Sequence, residues 1–149
     1  MQQEGTHASA GVTHVLETAL YVADLDRSAA FYQRLFGFPL FLRDERMCAL
    51  GVPGAQVLLL FRVGASVQPS ATPWGTVPPH DGHGRLHLAF AIRQSDLPGW
   101  ERLLDANAIA LESRVSWPSG SVSLYFRDPD GHSLEVATPK LWPNYPGDR

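Results

Sequence analysis

One pattern recurs along this chain and limits its fold more than any other feature: a strand, a helix and three short strands, written twice. Residues 14–23 alternate as a strand does. Asp24 or Asp26 then caps a helix whose apolar positions Leu25, Ala29, Tyr32, Leu35 and Phe36 follow a helical period, and Gly37 ends it. Strands near 39–44, 46–51 and 55–63 follow, separated by charged or Pro-Gly turns. After a loop the plan returns. Residues 86–93 form a strand, and Ser95 or Asp96 caps a helix carrying Leu97, Trp100, Leu103 and Leu104. Strands near 110–116, 121–127 and 132–138 complete the second copy. At an offset of 70 residues Leu20 meets Phe90, Val22 meets Ile92 and Asp26 meets Asp96.

A duplicated unit of this size is one ordinary domain, or two small modules sharing a core. The expected division is a disordered start over 1–11, a domain over 12–139 and a tail over 140–149. Within the domain, a first module spans about 13–63, a loop 64–85 and a second module about 86–138. With 44% hydrophobic and 18% charged residues among 149, the chain has globular composition. A net charge of −3 with no basic stripe argues against nucleic acid. The longest apolar run, Val57 to Phe61, is too short to cross a bilayer, and the first residues do not resemble a signal peptide. Cys48 is the only cysteine; its apolar neighbours predict a buried structural thiol, suited to a reducing cytoplasm.

The segment Tyr125 to Glu135 carries the densest local information. Asp128-Pro129-Asp130-Gly131 is strong turn chemistry, so the flanking strands form a hairpin. Leu134 and Val136 suit an apolar face, and Glu135 between them points the other way. The same alternation turns Glu17 away from Leu16, Thr18 and Leu20, and His87 away from Leu86 and Leu88. Glu17 and His87 occupy equivalent places at the 70-residue offset. Taken singly, a strand Glu or His is usually solvated or structural. Together, on a sheet curled into a cup, Glu17, His87 and Glu135 would form a mixed nitrogen and oxygen ligand set with open positions. His14, three positions from Glu17, competes as a ligand but faces the opposite side of the strand.

Three sets of residues carry a family resemblance: Tyr21-Val22-Ala23-Asp24-Leu25 through Phe31-Tyr32 to Leu35-Phe36-Gly37; His87-Leu88-Ala89-Phe90; and Asp128-Pro129-Asp130-Gly131 with Glu135. Over about residues 13–138 the chain resembles the vicinal oxygen chelate superfamily, which includes glyoxalase I, bleomycin- and fosfomycin-resistance proteins and extradiol dioxygenases. The resemblance implies an α+β fold of two βαβββ modules forming a partly closed, eight-stranded mixed sheet around a metal. It implies that His87 and Glu135 are ligands and that Glu17 stands where the first-strand ligand, usually His, would be. Two carboxylates favour Mn²⁺, Fe²⁺ or Mg²⁺, with Zn²⁺ or Ni²⁺ as lesser choices. The fourth ligand of glyoxalase I has no match, since Leu58, Leu59 and Leu60 are apolar. Tyr125, Asp128, Pro129, Gly131 and Glu135 fit the spacing of the extradiol dioxygenase signature, but Ser116, Trp117 and Pro118 stand where its preceding His is expected. Val115 and Ala19 replace the Lys and Thr of fosfomycin-resistance proteins, so a phosphonate would meet no obvious cation.

The resulting expectation is a metal-dependent enzyme, of lyase, isomerase or dioxygenase type, acting on a small substrate that chelates the metal through vicinal oxygens. Tyr125 would donate a proton or hydrogen bond, and His80 or His83 would act as acid or base if the long loop folds over the mouth. Trp117, Ser119 and Trp142 are the expected substrate contacts. A homodimer is expected, because related proteins cover their sheet edges by pairing subunits, and the cup is built either within one chain or between two. The alternative is a metal-free protein of the bleomycin-resistance type that sequesters a small molecule.

Overall fold

In the computed structural model, residues 10–145 are described. Most of the 1–11 segment expected to be disordered lies outside them, as does the end of the tail. Strand β1 (Glu17–Val22) leads into helix α1 (Leu25–Phe36), then β2 (Leu40–Arg43), β3 (Met47–Val52) and β4 (Gln56–Arg62). The second module has β7 (His87–Ala91), α2 (Leu97–Ala106), β8 (Ser113–Ser116), β9 (Val122–Arg127) and β10 (Ser133–Ala137). Each module folds into a four-stranded sheet, in the orders β1-β4-β3-β2 and β7-β10-β9-β8, with one parallel pairing in each, β1 with β4 and β7 with β10. The duplicated pattern therefore becomes duplicated topology. The loop expected over 64–85 contains structure of its own: a hairpin of β5 (Ser70–Thr72) and β6 (Gly75–Val77). Its three-residue strands are too short for a periodicity signal.

Local chemistry explains the first helix. The Asp24 side chain accepts the Arg27 N–H at 3.0 Å, and Gly37 closes the helix at φ 71°, a left-handed conformation that favours glycine. Asp24, rather than Asp26, is thus the cap. The second helix starts differently: a single 3-10 turn over Gln94–Asp96 precedes it, Pro98 occupies its first turn, and Asp96 makes no capping bond through its side chain.

One core joins the modules. Leu20, Val22, Leu58 and Leu60 from the first sheet meet Tyr32 and Leu35 of α1 and Leu124, Phe126, Leu134 and Val136 of the second sheet. Phe36 is the pivot, with its ring 4.7 Å from Phe90, 5.3 Å from Trp100 and 6.3 Å from Phe126. Cys48 is fully buried, and burial pushes its thiol up. Leu16, expected on the core face, is 62% exposed because it precedes the first paired residue.

The Asp128–Gly131 turn welds the modules together. Asp128 Oδ1 accepts the N–H groups of Asp130 and His132, while Oδ2 accepts the buried Tyr32 hydroxyl at 2.8 Å. Asp130 accepts Ala23 N–H at 2.8 Å and the Ser28 hydroxyl at 3.0 Å. His132 is fully buried. Its Nδ1 accepts Leu86 N–H and its Nε2–H donates to Tyr21 O at 2.7 Å, so the ring is neutral with the proton on Nε2. The tail is tied as well: the Tyr145 hydroxyl lies 3.0 Å from Ile92 O and 2.9 Å from Ala137 O. No helix among the described residues is long and apolar enough to cross a membrane.

Candidate metal centre

Because both sheets turn their apolar faces to the shared core, the alternate residues face away from it. On the second sheet these include His87 on β7, Ser123 and Tyr125 on β9, and Glu135 on β10, with Glu135 directly paired to Tyr125. Glu135 is only 4% exposed. Its Oε2 accepts the buried Ser123 hydroxyl at 2.5 Å, and Ser123 Oγ in turn accepts the Trp117 indole N–H at 2.9 Å. Its Oε1 lies 3.3 Å from His87 Nε2. Tyr125 stands beside both, its ring centroid 6.3 Å from that of His87. Its phenol pKa is raised, by burial first and then by the Glu135 charge.

The protons on this group are informative. His87 Nδ1 faces the Ser133 carbonyl at 2.9 Å, and a carbonyl only accepts, so Nδ1 carries a proton. In the neutral ring Nε2 then presents a lone pair to a carboxylate oxygen that also has only lone pairs to offer. Two acceptors at 3.3 Å need a proton, on the ring or on the carboxyl, or a metal ion between them. The spacing suits a metal: two ligands each about 2.1 Å from one ion, at an angle of roughly 100°, lie that far apart. An imidazole whose other nitrogen is fixed by a carbonyl, and a carboxylate whose other oxygen is fixed by a hydroxyl, have the supports that metal ligands usually have. The residues present therefore fit a divalent ion.

The expected third ligand is elsewhere. Glu17 is exposed at the start of β1, and among the described residues no three His, Cys, Asp or Glu side chains are grouped so as to hold a metal. Of the two arrangements open from the sequence, a cup within one chain or between two, the single chain does not group Glu17 with His87 and Glu135. The two sheets are not hydrogen-bonded to each other and share a core through their apolar faces, so the cup does not close around Glu17 within the chain. His14 is exposed, with its Nε2–H on Ala55 O at 3.3 Å.

The remaining candidates are dispersed. His80 lies over the first sheet, its Nδ1 2.7 Å from the Tyr21 hydroxyl and its ring edge-on to Phe61 at 4.5 Å. His83 is exposed. Trp117 reaches Glu135 through Ser123, Ser119 sits in the turn between Trp117 and Ser121, and Trp142 is 67% exposed on the tail. Sequence reasoning missed Ser123 and Ser133, the two residues that orient the His–Glu pair. Alternation already put the Ser123 side chain on the Glu135 face, which was the available signal; Ser133 acts through its backbone carbonyl, for which side-chain alternation gives none. It also missed an apolar cleft of about 500 Å³, lined by Phe36, Phe38, Val52, Leu88, Phe90 and Trp100. No imidazole, carboxylate or thiol lines that cleft, so it is separate from the His87–Glu135 pair in chemistry.

The fold agrees with what the chain is similar to. The profile of the Glyoxalase/Bleomycin resistance protein/Dioxygenase superfamily matches residues 11–136, and the chain belongs to that superfamily. Metallothiol transferase FosB of Bacillus licheniformis is 31% identical over 129 residues, 86% of this chain and 75% of that protein. Catechol-2,3-dioxygenase of Bacillus subtilis is 30% identical over 128 residues, 83% of this chain but 41% of that larger protein. The crystal structure of lactoylglutathione lyase from Agrobacterium tumefaciens superposes with a TM-score of 0.81 at 34% identity, covering 90% of this chain and 99% of that one. The chain therefore sits among metal-dependent enzymes of the superfamily that act on small molecules.

Proposed function

We propose that two copies of this chain build each metal centre together, His87 and Glu135 from one and Glu17 from the other, and that the centre acts on a small molecule presenting two neighbouring oxygens. The observation that carries this reading is the 3.3 Å approach of His87 Nε2 to Glu135 Oε1, with His87 Nδ1 held on Ser133 O and Glu135 Oε2 held by Ser123. One imidazole and two carboxylates favour Mn²⁺, Fe²⁺ or Mg²⁺. A divalent ion bound there supplies Lewis acidity, polarising the substrate oxygens and stabilising negative charge that develops on them. The protein side chains do the rest. Ser133 O holds the His87 ring in the ligating tautomer, and Ser123 fixes Glu135. Tyr125, whose phenol carries its proton at neutral pH as an ordinary tyrosine does, donates a hydrogen bond to the developing charge. The buried single thiol Cys48 suits a reducing cytoplasm.

Calorimetric titration of the chelator-stripped protein with Mn²⁺ tests the centre. The expected result is about one ion per chain, abolished by Glu135→Ala and by His87→Ala while the melting curve stays cooperative. Absence of binding by Mn²⁺, Fe²⁺ and Zn²⁺ to the unmutated protein overturns the reading.

A further inference from the structure

The segment linking the modules is strapped across the outward face of the first sheet. His80 bonds Tyr21, and Gly82 lies so close to the Tyr21 ring that a Cβ there would sit 2.3 Å from it. His80 and Ser66 bond reciprocally, His80 N–H to Ser66 O at 2.9 Å and Ser66 Oγ to His80 O at 2.7 Å. Arg46 holds the near end, donating to Ala65 O and Ser70 Oγ at 3.0 Å each. From this anchored base the β5–β6 hairpin projects. Its turn is braced by the Thr72 hydroxyl, which donates to Gly75 O and accepts Trp74 N–H. At the tip Trp74 is 92% exposed, flanked along the strap by Val67 and Val77 at 43% and 51%.

Tyr21, the anchor of the strap, lies on the same strand and the same face as Glu17, four residues on. Whatever brings Glu17 against the His87–Glu135 pair of a second copy brings the strap with it. Four strand residues span about 13 Å and the three-residue hairpin arms about 10 Å, so the hairpin is comparable in length to the stretch of β1 between Tyr21 and Glu17. The receiving face offers room, since Ala89, next to His87 on that face, is small and exposed.

We infer that the strap acts in trans: the β5–β6 hairpin of one protomer walls the metal centre of its partner, and Trp74 is the specificity-determining residue that packs against the apolar or aromatic part of the substrate. The inference rests on the shared-centre reading above. An indole face supplies a large, rigid contact with little entropy to lose, which suits selection of a planar apolar group.

Fluorine NMR of protein labelled with 5-fluorotryptophan tests it, with Mn²⁺ as the probe and Trp74→Phe assigning the signal. Trp117, coupled through Ser123 to Glu135, is the internal control for metal at the centre. Labelled chains carrying Glu135→Gln, unable to complete their own centre, are exchanged with excess unlabelled wild-type chains. The expected result is that Mn²⁺ broadens the Trp74 signal of the labelled chain while its Trp117 signal stays sharp. His87→Ala in place of Glu135→Gln should give the same result and guards against misfolding of one variant. If Mn²⁺ broadens Trp117 but not Trp74 in fully labelled wild-type protein, the strap does not wall the site and the inference is overturned, while the metal reading stands. Broadening of Trp74 in wild-type homodimers but not in the exchanged mixture places the reach within one chain and overturns it too. If neither signal broadens, the metal reading fails and takes this inference with it.

Discussion

Ser123 and Tyr125 show how strand alternation turns ordinary residues into a support for Glu135, while Ser133 holds His87 through its backbone carbonyl. Each sits on the outward face of the second sheet because its neighbours Leu124, Phe126 and Leu134 are needed in the core. Tyr125→Phe removes one hydroxyl from that face and leaves the packing unchanged. Turnover on any substrate found should fall by roughly 10²–10³-fold, with Mn²⁺ affinity preserved. Full activity in this variant would remove Tyr125 from the site. Tyr32 gives a second residue-scale expectation, this time about stability. Its phenol pKa is raised far above the usual tyrosine range, by burial first and then by the charge and hydrogen bond of Asp128. An unfolded tyrosine loses its proton near pH 10, whereas the folded one keeps it, so above that pH the folded state binds more protons and stability falls as pH rises. Tyr32→Phe should cost about 1–3 kcal/mol at neutral pH, because the buried Asp128 carboxylate loses a donor. It should also flatten the alkaline fall in melting temperature. An alkaline slope identical to wild type would show that Tyr32 is not its source.

At the scale of elements, the strap over 64–85 and the Asp128–Gly131 turn do work that their composition only hints at. Proline and glycine marked the first as a loop, yet its hold on the first sheet comes from Tyr21, Ser66 and Arg46, which are scattered in sequence. Gly82→Ala places a methyl group against the Tyr21 ring, so either the ring or the strap must move. The expected outcome is loss of the Tyr21–His80 bond and faster proteolysis within 64–85, with global stability lowered by less than about 1 kcal/mol because the core is untouched. Unchanged proteolysis would show that the strap yields at no cost. The turn, by contrast, was legible as a turn from its four residues, and its second task was not. Both of its carboxylates reach into the first module, onto Tyr32, Ala23 and Ser28, partners about a hundred residues away that local chemistry cannot name.

For the whole molecule, the decisive feature is that among the described residues Glu17 is not grouped with His87 and Glu135 as a three-residue ligand set. Val15, Leu16, Phe41 and Trp74 are exposed in the single chain, and in the proposed two-fold pairing two equivalent centres would be completed by symmetry. Sedimentation at micromolar concentration should give about twice the 16.4 kDa chain mass; a monomer mass counts against the shared centre. Subunit mixing is the sharper measurement. Neither Glu17→Ala nor Glu135→Ala chains should bind a full complement of Mn²⁺ at a three-ligand centre. In an exchanged equal mixture each heterodimer regains one intact centre, so about a quarter of wild-type capacity should return. No recovery on mixing means that each centre is built within one chain.

The sequence by itself determined the duplicated βαβββ plan, the membership of the superfamily and the outward direction of Glu17, His87, Tyr125 and Glu135. All of these follow from local periods: two residues per strand repeat, 3.6 per helical turn, and a turn whose four residues specify their own backbone. Tertiary structure alone decided which outward faces share a site. Periodicity assigns a face to each strand but is silent on how two sheets sit relative to one another; that is fixed by the packing of Phe36 against Phe90, Trp100 and Phe126 and by the Asp128 and Asp130 bonds between modules. His87 meets Glu135 through the parallel pairing of β7 and β10 within the second sheet, a pairing of strands more than forty residues apart that local periods do not specify, and Glu17 is left exposed at the start of β1.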